Sequence, residues 1–316
     1  MPVSVKVVAK SALARDVVAL RLSPQDSHTQ LGTFQAGSHI DVFLPNGSVR
    51  QYSLTQHAPQ VAPAYYEVAI ARDAHSRGGS ANVHDHLRVG SVLQVGIPRN
   101  LFALDPSHKR VLLLAGGIGV TPLFAMAKAL VAGDRDVEMV FCARSVSRMA
   151  YLDELKKLLG TRLRLHADDD AGGPLDVVQL LSSQRWDGVY ACGPAPMLDA
   201  IEAATATWPA GQVHMERFTA AADPSASSEA FEVELSASGL SVQVEAHESI
   251  LDALERLGID HPYACREGLC GTCECKVLSG RIDHRCSVLT QAEKDSQASM
   301  MLCVSRSSGD KLVLDL

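Results

Sequence analysis

No apolar run in this sequence is long enough to cross a membrane. The longest candidate, Val111–Gly119, is short and rich in glycine, and Met1–Lys10 lacks the apolar core of a secretory signal. An excess of positive charge is also absent, since the formal net charge is −7, which argues against a nucleic-acid partner. We therefore expect a soluble, cytoplasmic protein that binds neither membranes nor nucleic acid.

Internal repeats and low-complexity tracts are missing as well. The 316 residues, 47% of them apolar, suffice for two or three domains with cores of their own. The small, polar, proline-containing segment Ala220–Glu229 has the composition of a flexible connection between domains, and a second change of pattern falls near Asp105–Lys109. We predict domains over 1–105, 106–222 and 230–316, with a linker over 223–229.

The charge is distributed unevenly along the chain. From Glu229 onward there are 15 acidic and 8 basic residues, a balance of −7, whereas the preceding residues hold 21 of each sign. The whole net charge therefore lies on the C-terminal part, which suggests docking to a basic partner surface.

The pattern Cys265-x4-Cys270-x2-Cys273, with Cys303 standing alone further on, predicts the ligands of a plant-type [2Fe–2S] cluster. Disulfides are not expected without a secretory signal. Zinc is the closer alternative, because Cys270-x2-Cys273 suits a tetrahedral site, although a zinc ribbon usually supplies its other ligands as a second close pair.

Residues around these cysteines support the cluster. Gly268 and Gly271 allow backbone N–H groups of the loop to turn toward sulfur atoms. Of the leftover thiols, Cys275 follows a strand-like alternation and is expected to pack as a small apolar residue, and Cys286 has no assigned role.

The C-terminal domain is predicted to be a β-grasp fold. Phe231–Leu235 and Gly239–Val244 alternate as a hairpin, and Lys311–Asp315 is a closing strand. Between them, Ser249 and Asp252 have the spacing of a helix start. The predicted apolar face of that helix comprises Ile250, Leu251, Leu254 and Leu257, before a stop at Gly258.

The first hundred residues show short strands separated by turn signals, which predicts an antiparallel barrel or sandwich. The turn signals are Pro45-Asn46-Gly47, Val89-Gly90 and Pro98-Arg99-Asn100. From Lys109 the pattern becomes strand, glycine-rich turn and helix, which is typical of a doubly wound α/β domain. Its predicted strands are Val111–Ala115, Val137–Phe141 and Gly188–Ala191, with helices near Pro122–Val131, Tyr151–Leu159 and Pro196–Thr205.

Two loops of the α/β domain suit a nicotinamide nucleotide. Gly116-Gly117-Ile118-Gly119-Val120-Thr121-Pro122 closes a strand and opens a helix, so that a phosphate can approach the backbone. Cys192-Gly193-Pro194 follows another strand, at the sheet edge where ligands bind. A tight strand-to-helix turn without a ligand, and a structural cysteine, are the alternatives.

In the first domain, Arg50-Gln51-Tyr52-Ser53 and Arg77-Gly78-Gly79-Ser80 combine a cation, hydroxyl groups and glycines, a set that suits the phosphate of a flavin. Each tetrapeptide alone is a weak signal. However, a nicotinamide delivers two electrons as a hydride and a [2Fe–2S] cluster accepts one, so a flavin between them is expected.

With these motifs in order, the whole chain resembles the phthalate dioxygenase reductase family, which includes reductase components of vanillate demethylase and related Rieske oxygenase systems. Glu216-Arg217-Phe218 completes the set of shared motifs. The resemblance implies a β-barrel flavin domain, an α/β nucleotide-binding domain and a C-terminal β-grasp ferredoxin domain, with FMN as the flavin. It also implies FMN contacts at Arg50, Gln51, Ala69, Ile70, Ala71, Arg77–Ser80 and Thr121, and a ring of Phe218 that covers the flavin until nicotinamide displaces it. A buried core aromatic is the alternative for Phe218.

The choice of pyridine nucleotide is less direct. Arg144, Ser145 and Arg148 follow the strand Val137–Phe141, where arginines can pair with a 2′-phosphate and a carboxylate would instead bind the ribose. Asp168–Asp170 offers such a carboxylate, or else a solvated acidic loop. We favour NADH.

The sequence thus predicts a reductase that passes electrons from NADH through FMN and a [2Fe–2S] cluster to a terminal Rieske oxygenase component, whose substrate is expected to be an aromatic acid. Thr121, Cys192 and Phe218 would position the nicotinamide and flavin, with no nucleophile or general base. Two alternatives are a stand-alone iron–sulfur flavin reductase or oxidase, and a zinc-stabilised nucleotide-binding interaction module.

Overall fold

The computed structural model describes residues 2–73, 78–218 and 229–316. It forms two compact units, Met1–Phe218 and Thr219–Leu316. Most of the predicted linker, residues 223–228, lies outside the described residues, and the predicted domain boundaries stay predictions. No described helix is long and apolar enough to cross a membrane.

The first unit begins with an antiparallel β-barrel. The strands follow the order β4-β3-β6-β1-β2-β5, with β7 paired to β3, and the bridge between Leu54 and Val68 links the two ends of that order. Apolar side chains on the inner face, among them Val5, Leu20 and Ile40, fill the barrel. The elements are β1 (Val3–Ala14), β2 (Val17–Pro24), β3 (Ser38–Phe43), β4 (Val49–Ser53), β5 (Tyr66–Ala71), α1 (Gly79–Asp85), β6 (Val92–Val95) and β7 (Arg99–Asn100).

Two local features of the barrel differ from the sequence prediction. Arg99–Asn100, predicted within a turn, forms β7. Arg99 and Asn100 pair with His39 and Ser38 of β3, and the Arg99 guanidinium binds Asp41 with N–O distances of 2.8 Å. Helix α1 was not predicted, since it begins at Gly79 with no side-chain cap. The turns at Gly47 and Gly90 are confirmed by φ angles of +80° and +97°.

The second half of this unit is a parallel sheet flanked by helices. Its strand order is β10-β9-β8-β11-β12, and all neighbouring pairs are parallel. The apolar runs of β8 and β11 are buried on both faces, as expected for the centre of a parallel sheet, and β9 is buried apart from Asp136 and the half-buried Glu138. The elements are β8 (Arg110–Gly116), α2 (Val120–Ala132), β9 (Asp136–Ala143), α3 (Leu152–Leu159), β10 (Leu163–Ala167), α4 (Asp168–Ala171), α5 (Val177–Ser182), β11 (Gly188–Cys192), α6 (Ala195–Ala204) and β12 (Val213–Glu216).

The three predicted strands and three predicted helices of this sheet are confirmed within a few residues at their ends. The edge strands β10 and β12 were not predicted, because their side chains are only partly buried and carry polar groups among apolar ones. Asp168–Asp170 forms the short helix α4 rather than an irregular loop.

The second unit contains the predicted β-grasp sheet, of order β14-β13-β19-β15-β17. Strands β13 and β19 are parallel, and the other neighbours are antiparallel. A separate pair, β16 with β18, lies beside it. The elements are β13 (Phe231–Leu235), β14 (Leu240–Val244), α7 (Ile250–Arg256), β15 (Glu274–Ser279), β16 (Ile282–Asp283), α8 (Gln291–Ser296), β17 (Ser299–Met301), β18 (Arg306–Ser307) and β19 (Lys311–Leu314).

Helix α7 begins where the sequence predicts it. Ser249 and Asp252 form a reciprocal capping box, and Ile250, Leu251 and Leu254 are buried in the core of the unit. The prediction that Leu257 shares this apolar face is wrong. The helix ends at Arg256, and Leu257 follows it with 40% of its surface exposed.

Candidate functional site

A cleft of 480 Å³ opens between the barrel and the carboxyl edge of the parallel sheet. The barrel contributes the β1–β2 turn and the end of β5, including Ala71, and the sheet contributes the turn after β8 and the segments after β9 and β11. Gly116, Gly117, Ile118 and Pro194 therefore face a cavity at the topological position where α/β sheets bind nucleotides.

Gly117 and Gly119 of the predicted nucleotide turn are glycines for different structural reasons. Gly117 has a left-handed φ of +55° and lines the cleft, with open space where a Cβ would stand. A Cβ at Gly119 would instead lie 2.2 Å from the carbonyl oxygen of Cys192. The turn after β8 thus packs directly on the backbone at the end of β11, which fixes the two nucleotide loops relative to each other.

Thr121 and Cys192 lie behind this wall. Their exposed fractions are 2% and 0%, and the Thr121 hydroxyl donates to the carbonyl of Ile118 at 3.0 Å. Burial raises the pKa of the Cys192 thiol well above its ordinary value, so it stays protonated. Both side chains can position the loops, and their direct contact with a nicotinamide stays a prediction.

The two tetrapeptides predicted for FMN adjoin each other in the barrel. Arg50 lies in β4, and a Cβ at Gly79 would stand 2.7 Å from its Nε. Asn46 Nδ2 donates to the carbonyl of Gly78 at 3.2 Å. Arg77 lies outside the described residues. Among the described residues Arg50 has no carboxylate partner, and its guanidinium donates to the Val49 carbonyl, so its charge fits a phosphate.

The other residues predicted to contact FMN have varied surroundings. Gln51 donates through Nε2 to Asp41 at 2.6 Å, and Ser53 is buried at the end of β4. Tyr52 packs against the barrel core, and burial raises its pKa to about 12. Ser80 accepts a hydrogen bond from the Asp73 N–H at 3.1 Å. In β5, Ala69 and Ile70 are buried, and Ala71 reaches the cleft.

Phe218 is the last residue of the first unit and has 38% of its surface exposed. The alternative of a buried core aromatic is therefore wrong for this residue. Its predicted position over the flavin stays a prediction.

The four predicted cluster ligands lie together in the second unit. Cys265, Cys270, Cys273 and Cys303 are each at most 8% exposed. The thiol of Cys265 is close enough to those of Cys270 and Cys303 to have its pKa lowered by them, and Cys303 likewise lowers the pKa of Cys273. A loop and a distant residue are thus brought to one place by the fold.

The backbone of this loop turns inward, as the glycines predict. Gly268 and Gly271 have φ angles of +69° and +72°, and Arg266 is also left-handed at +55°. The N–H of Glu267 donates to Sγ of Cys265 at 3.2 Å. A Cβ at Gly268 would stand 2.6 Å from Val304, so this close packing requires glycine.

This donor set fits a [2Fe–2S] cluster. All four donors are buried sulfur atoms, and the Glu267 N–H points at one of them. These are the ligands and surroundings that such a cluster needs. Cys275 lies in the core on β15, as predicted, and Cys286 is buried beside Gly268.

Two residues near the cleft were not predicted as site residues. Glu216 ends β12 beside Cys192, and burial raises its pKa to about 8. Its Oε2 is closed off from solvent and has no hydrogen-bond partner among the described residues. Asp16, in the β1–β2 turn, forms an ion pair with Arg148 at 3.1 Å, and both residues line the cleft. The only sequence signal for Glu216 was its place in the Glu216-Arg217-Phe218 motif.

Family models match both halves of this arrangement. Residues 233–308 match the 2Fe-2S iron-sulfur cluster binding domain, and residues 113–203 match the oxidoreductase NAD-binding domain. These matches confirm the predicted cluster and nicotinamide nucleotide as cofactors of this chain.

The chain is also similar to whole proteins along nearly its full length. It is 55% identical over 314 residues to the putative toluene-4-sulfonate monooxygenase system reductase subunit TsaB2 of Comamonas testosteroni, covering 99% of each chain. It is 37% identical to the phthalate dioxygenase reductase of Burkholderia cepacia, covering 98% of this chain and 96% of the relative.

Solved structures agree with the predicted three-part fold. A phthalate dioxygenase reductase, described as a modular structure for electron transfer from pyridine nucleotides to [2Fe–2S], superposes with a TM-score of 0.73 at 35% identity, covering 100% of this chain and 98% of its own. An intact type IV self-sufficient cytochrome P450 monooxygenase gives 0.89 at 40% identity, with the match covering 41% of that longer chain. The chain therefore belongs to the phthalate dioxygenase reductase family of iron–sulfur, NAD-binding oxidoreductases.

Proposed function

We propose that this protein, acting in the cytoplasm, takes electrons from NADH and delivers them through FMN and a [2Fe–2S] cluster to the terminal component of a Rieske oxygenase that acts on an aromatic acid. The observation that carries the proposal is the buried four-thiol site in a chain that also has a nucleotide cleft. When bound, FMN supplies the exchange between a two-electron hydride donor and one-electron acceptors, and the cluster carries single electrons.

The residues of the cleft bind and orient the dinucleotide. Gly117 leaves room for it to approach the backbone, and Gly116 packs directly against Pro194, where a Cβ would stand 2.6 Å from the proline Cδ. Arg50 supplies a charge for the FMN phosphate, and Phe218 covers the flavin when nicotinamide is absent. No side chain needs to act as a nucleophile, so the work of this site is placement and exclusion of water.

The thiolates of Cys265, Cys270, Cys273 and Cys303 hold the cluster, and the inward N–H groups of their loop stabilise charge on the sulfur atoms. Cys303→Ser tests this assignment, with Cys275→Ser as the matched control because both thiols are buried in the same unit. In Cys303→Ser we expect NADH to bleach the flavin while reduction of cytochrome c is lost. The control should keep both reactions. A Cys303→Ser protein that still passes single electrons to cytochrome c would contradict the assignment.

Docking to the oxygenase is proposed to be steered by charge. The segment from Glu229 to the end has a balance of −7, from 15 acidic and 8 basic residues. Several acids are already neutralised within the unit, as in the pairs of Lys311 with Glu232 and Glu234. The remaining excess would attract a basic surface and raise the association rate at low salt.

The salt dependence is measured by reducing a purified oxygenase partner at rising ionic strength. We expect the second-order rate constant to fall by about tenfold or more between low and high salt. An unchanged rate would exclude steering. Rapid turnover with oxygen or free flavin, with no transfer to any oxygenase of a panel, would support the stand-alone reductase instead.

A further inference from the structure

The charged residues of the nucleotide cleft are mostly arginines. Arg15, Arg72, Arg144 and Arg148 line it, against the two carboxylates of Asp16 and Asp168. Such a lining fits an anionic ligand. An arginine that is not already paired with a carboxylate can bind the additional 2′-phosphate that distinguishes NADPH from NADH.

The arginines differ in how they are engaged. Arg72 donates two hydrogen bonds to Asp85, at 2.6 and 2.8 Å. Arg148 lies 3.1 Å from Oδ2 of Asp16. Arg144 is exposed and has no ion pair among the described residues. Of the two arginines that follow β9, Arg148 is therefore held in an ion pair, and Arg144 has none among the described residues.

The backbone fixes Asp16 in this position. It stands at the tip of the β1–β2 turn with a left-handed φ of +61°, and its carbonyl accepts from the Arg72 N–H at 2.7 Å. The neighbouring Arg15 N–H donates to the carbonyl of Ser147 at 2.8 Å. The turn of the barrel is thus docked on the segment that carries Arg148, and the carboxylate is held across from the guanidinium.

The end of β9 is where this type of sheet handles the adenosine ribose. An arginine at that place accommodates a 2′-phosphate, whereas a carboxylate favours the free 2′-hydroxyl. A 2′-phosphate that took Arg148 from Asp16 would leave the Asp16 carboxylate beside a second anion, with only the more distant Arg15, at 3.9 Å, as its partner. Both the lost ion pair and the repulsion oppose its binding.

We propose that Asp16 is a specificity-determining residue, which selects NADH by holding Arg148 and by adding a negative charge at the adenosine end of the cleft. The inference rests on the proposed function, in which a nicotinamide nucleotide binds here. It assigns to the barrel, rather than to the nucleotide-binding domain, one determinant of nucleotide choice.

The test is binding of 2′,5′-ADP and 5′-AMP, measured by calorimetry on the complete protein. In Asp16→Asn, we expect the affinity for 2′,5′-ADP to rise about tenfold, the size of one charge-assisted contact, while that for 5′-AMP stays the same. The ratio of kcat/KM for NADPH to that for NADH should rise in parallel. Adding Arg148→Ala to Asp16→Asn should abolish the gain.

Asp136→Asn is the matched control, because it also removes a carboxylate from an arginine, Arg110, but at the opposite end of β9 and outside the cleft lining. We expect it to leave the 2′,5′-ADP to 5′-AMP ratio unchanged. An Asp16→Asn protein that binds 2′,5′-ADP no more tightly than the wild type would overturn the proposal, as would a gain that survives Arg148→Ala. The proposed function is tested separately with the wild-type protein, and it fails if that protein oxidises neither NADH nor NADPH with ferricyanide as the electron acceptor.

Discussion

Substitution of Gly119 by alanine should disturb nucleotide use through the protein backbone. The φ of Gly119 is −60°, which alanine adopts without strain. The added Cβ, however, would stand 2.2 Å from O and 2.4 Å from C of Cys192, and 2.8 Å from N of Gly193. These are backbone atoms, so no side-chain rotation relieves the overlap.

The size of the effect follows from the displacement that is needed. Carbon contacts are relaxed at about 3.5 Å, so the loop after β11 must move by about 1 Å. Overpacking of this kind costs about 1–3 kcal/mol of unfolding free energy. A misplacement of about 1 Å in a site that works by orientation lowers the rate by about a hundredfold.

The assay is anaerobic stopped-flow reduction of the flavin by NADH, together with urea unfolding. Gly133→Ala, at the other end of α2, is the control, because its Cβ would be no nearer than 3.3 Å to the carbonyl oxygen of Ala129 and its φ is −89°. We expect it to change unfolding by less than about 1 kcal/mol and flavin reduction hardly at all. A Gly119→Ala protein with wild-type stability and wild-type flavin reduction would refute the steric reasoning.

Three further predictions test other parts of the molecule. The pKa of Glu216 is raised to about 8 in the folded protein. Because this carboxyl ionises at lower pH in the unfolded chain, the free energy of unfolding falls as the pH rises from about 4.5 to 8. Relative to Glu216→Gln, the wild type should therefore lose up to about 1.4 kcal/mol per pH unit there in urea unfolding, and parallel profiles would contradict the buried carboxyl. Tyr151→Phe removes the 3.2 Å hydrogen bond to Glu67 that joins α3 to the barrel, and should cost about 1–2 kcal/mol by the same measurement; a cost under about 0.5 kcal/mol would exclude this contact. Leu254→Ala should cost about 2–5 kcal/mol in the second unit, whereas Leu257→Ala should cost under about 1 kcal/mol, and equal costs would contradict their burial.

Elements with a strong local signal were predictable from the sequence. The capping box of Ser249 and Asp252 marks the start of α7, and predominantly apolar runs mark the central strands β8, β9 and β11. The cysteine loop was predictable for the same reason, since its spacing and its glycines are local. Leu257 shows the limit of periodicity, which cannot tell where a helix ends when the apolar residue falls at its last turn.

Features that depend on distant partners were not predictable. Arg99 and Asn100 join the barrel sheet because Ser38, His39 and Asp41 happen to face them. Asp16 gains its role from Arg148, which lies far along the chain, after β9 of the parallel sheet. The left-handed conformation of Asp16 and the shielding of the Glu216 Oε2 from solvent arise from tertiary packing, which the neighbouring sequence does not predict.

A single anaerobic titration with NADH shows whether electrons reach both the flavin and the cluster. The visible spectrum of the purified protein is followed as NADH is added without oxygen. If flavin and cluster are both filled and connected, we expect bleaching of both signals to end near 1.5 equivalents of NADH, or about three electrons per chain, two for FMN and one for the cluster. Bleaching of a flavin alone at about one equivalent, or a protein that holds zinc and no iron, would contradict the proposed path.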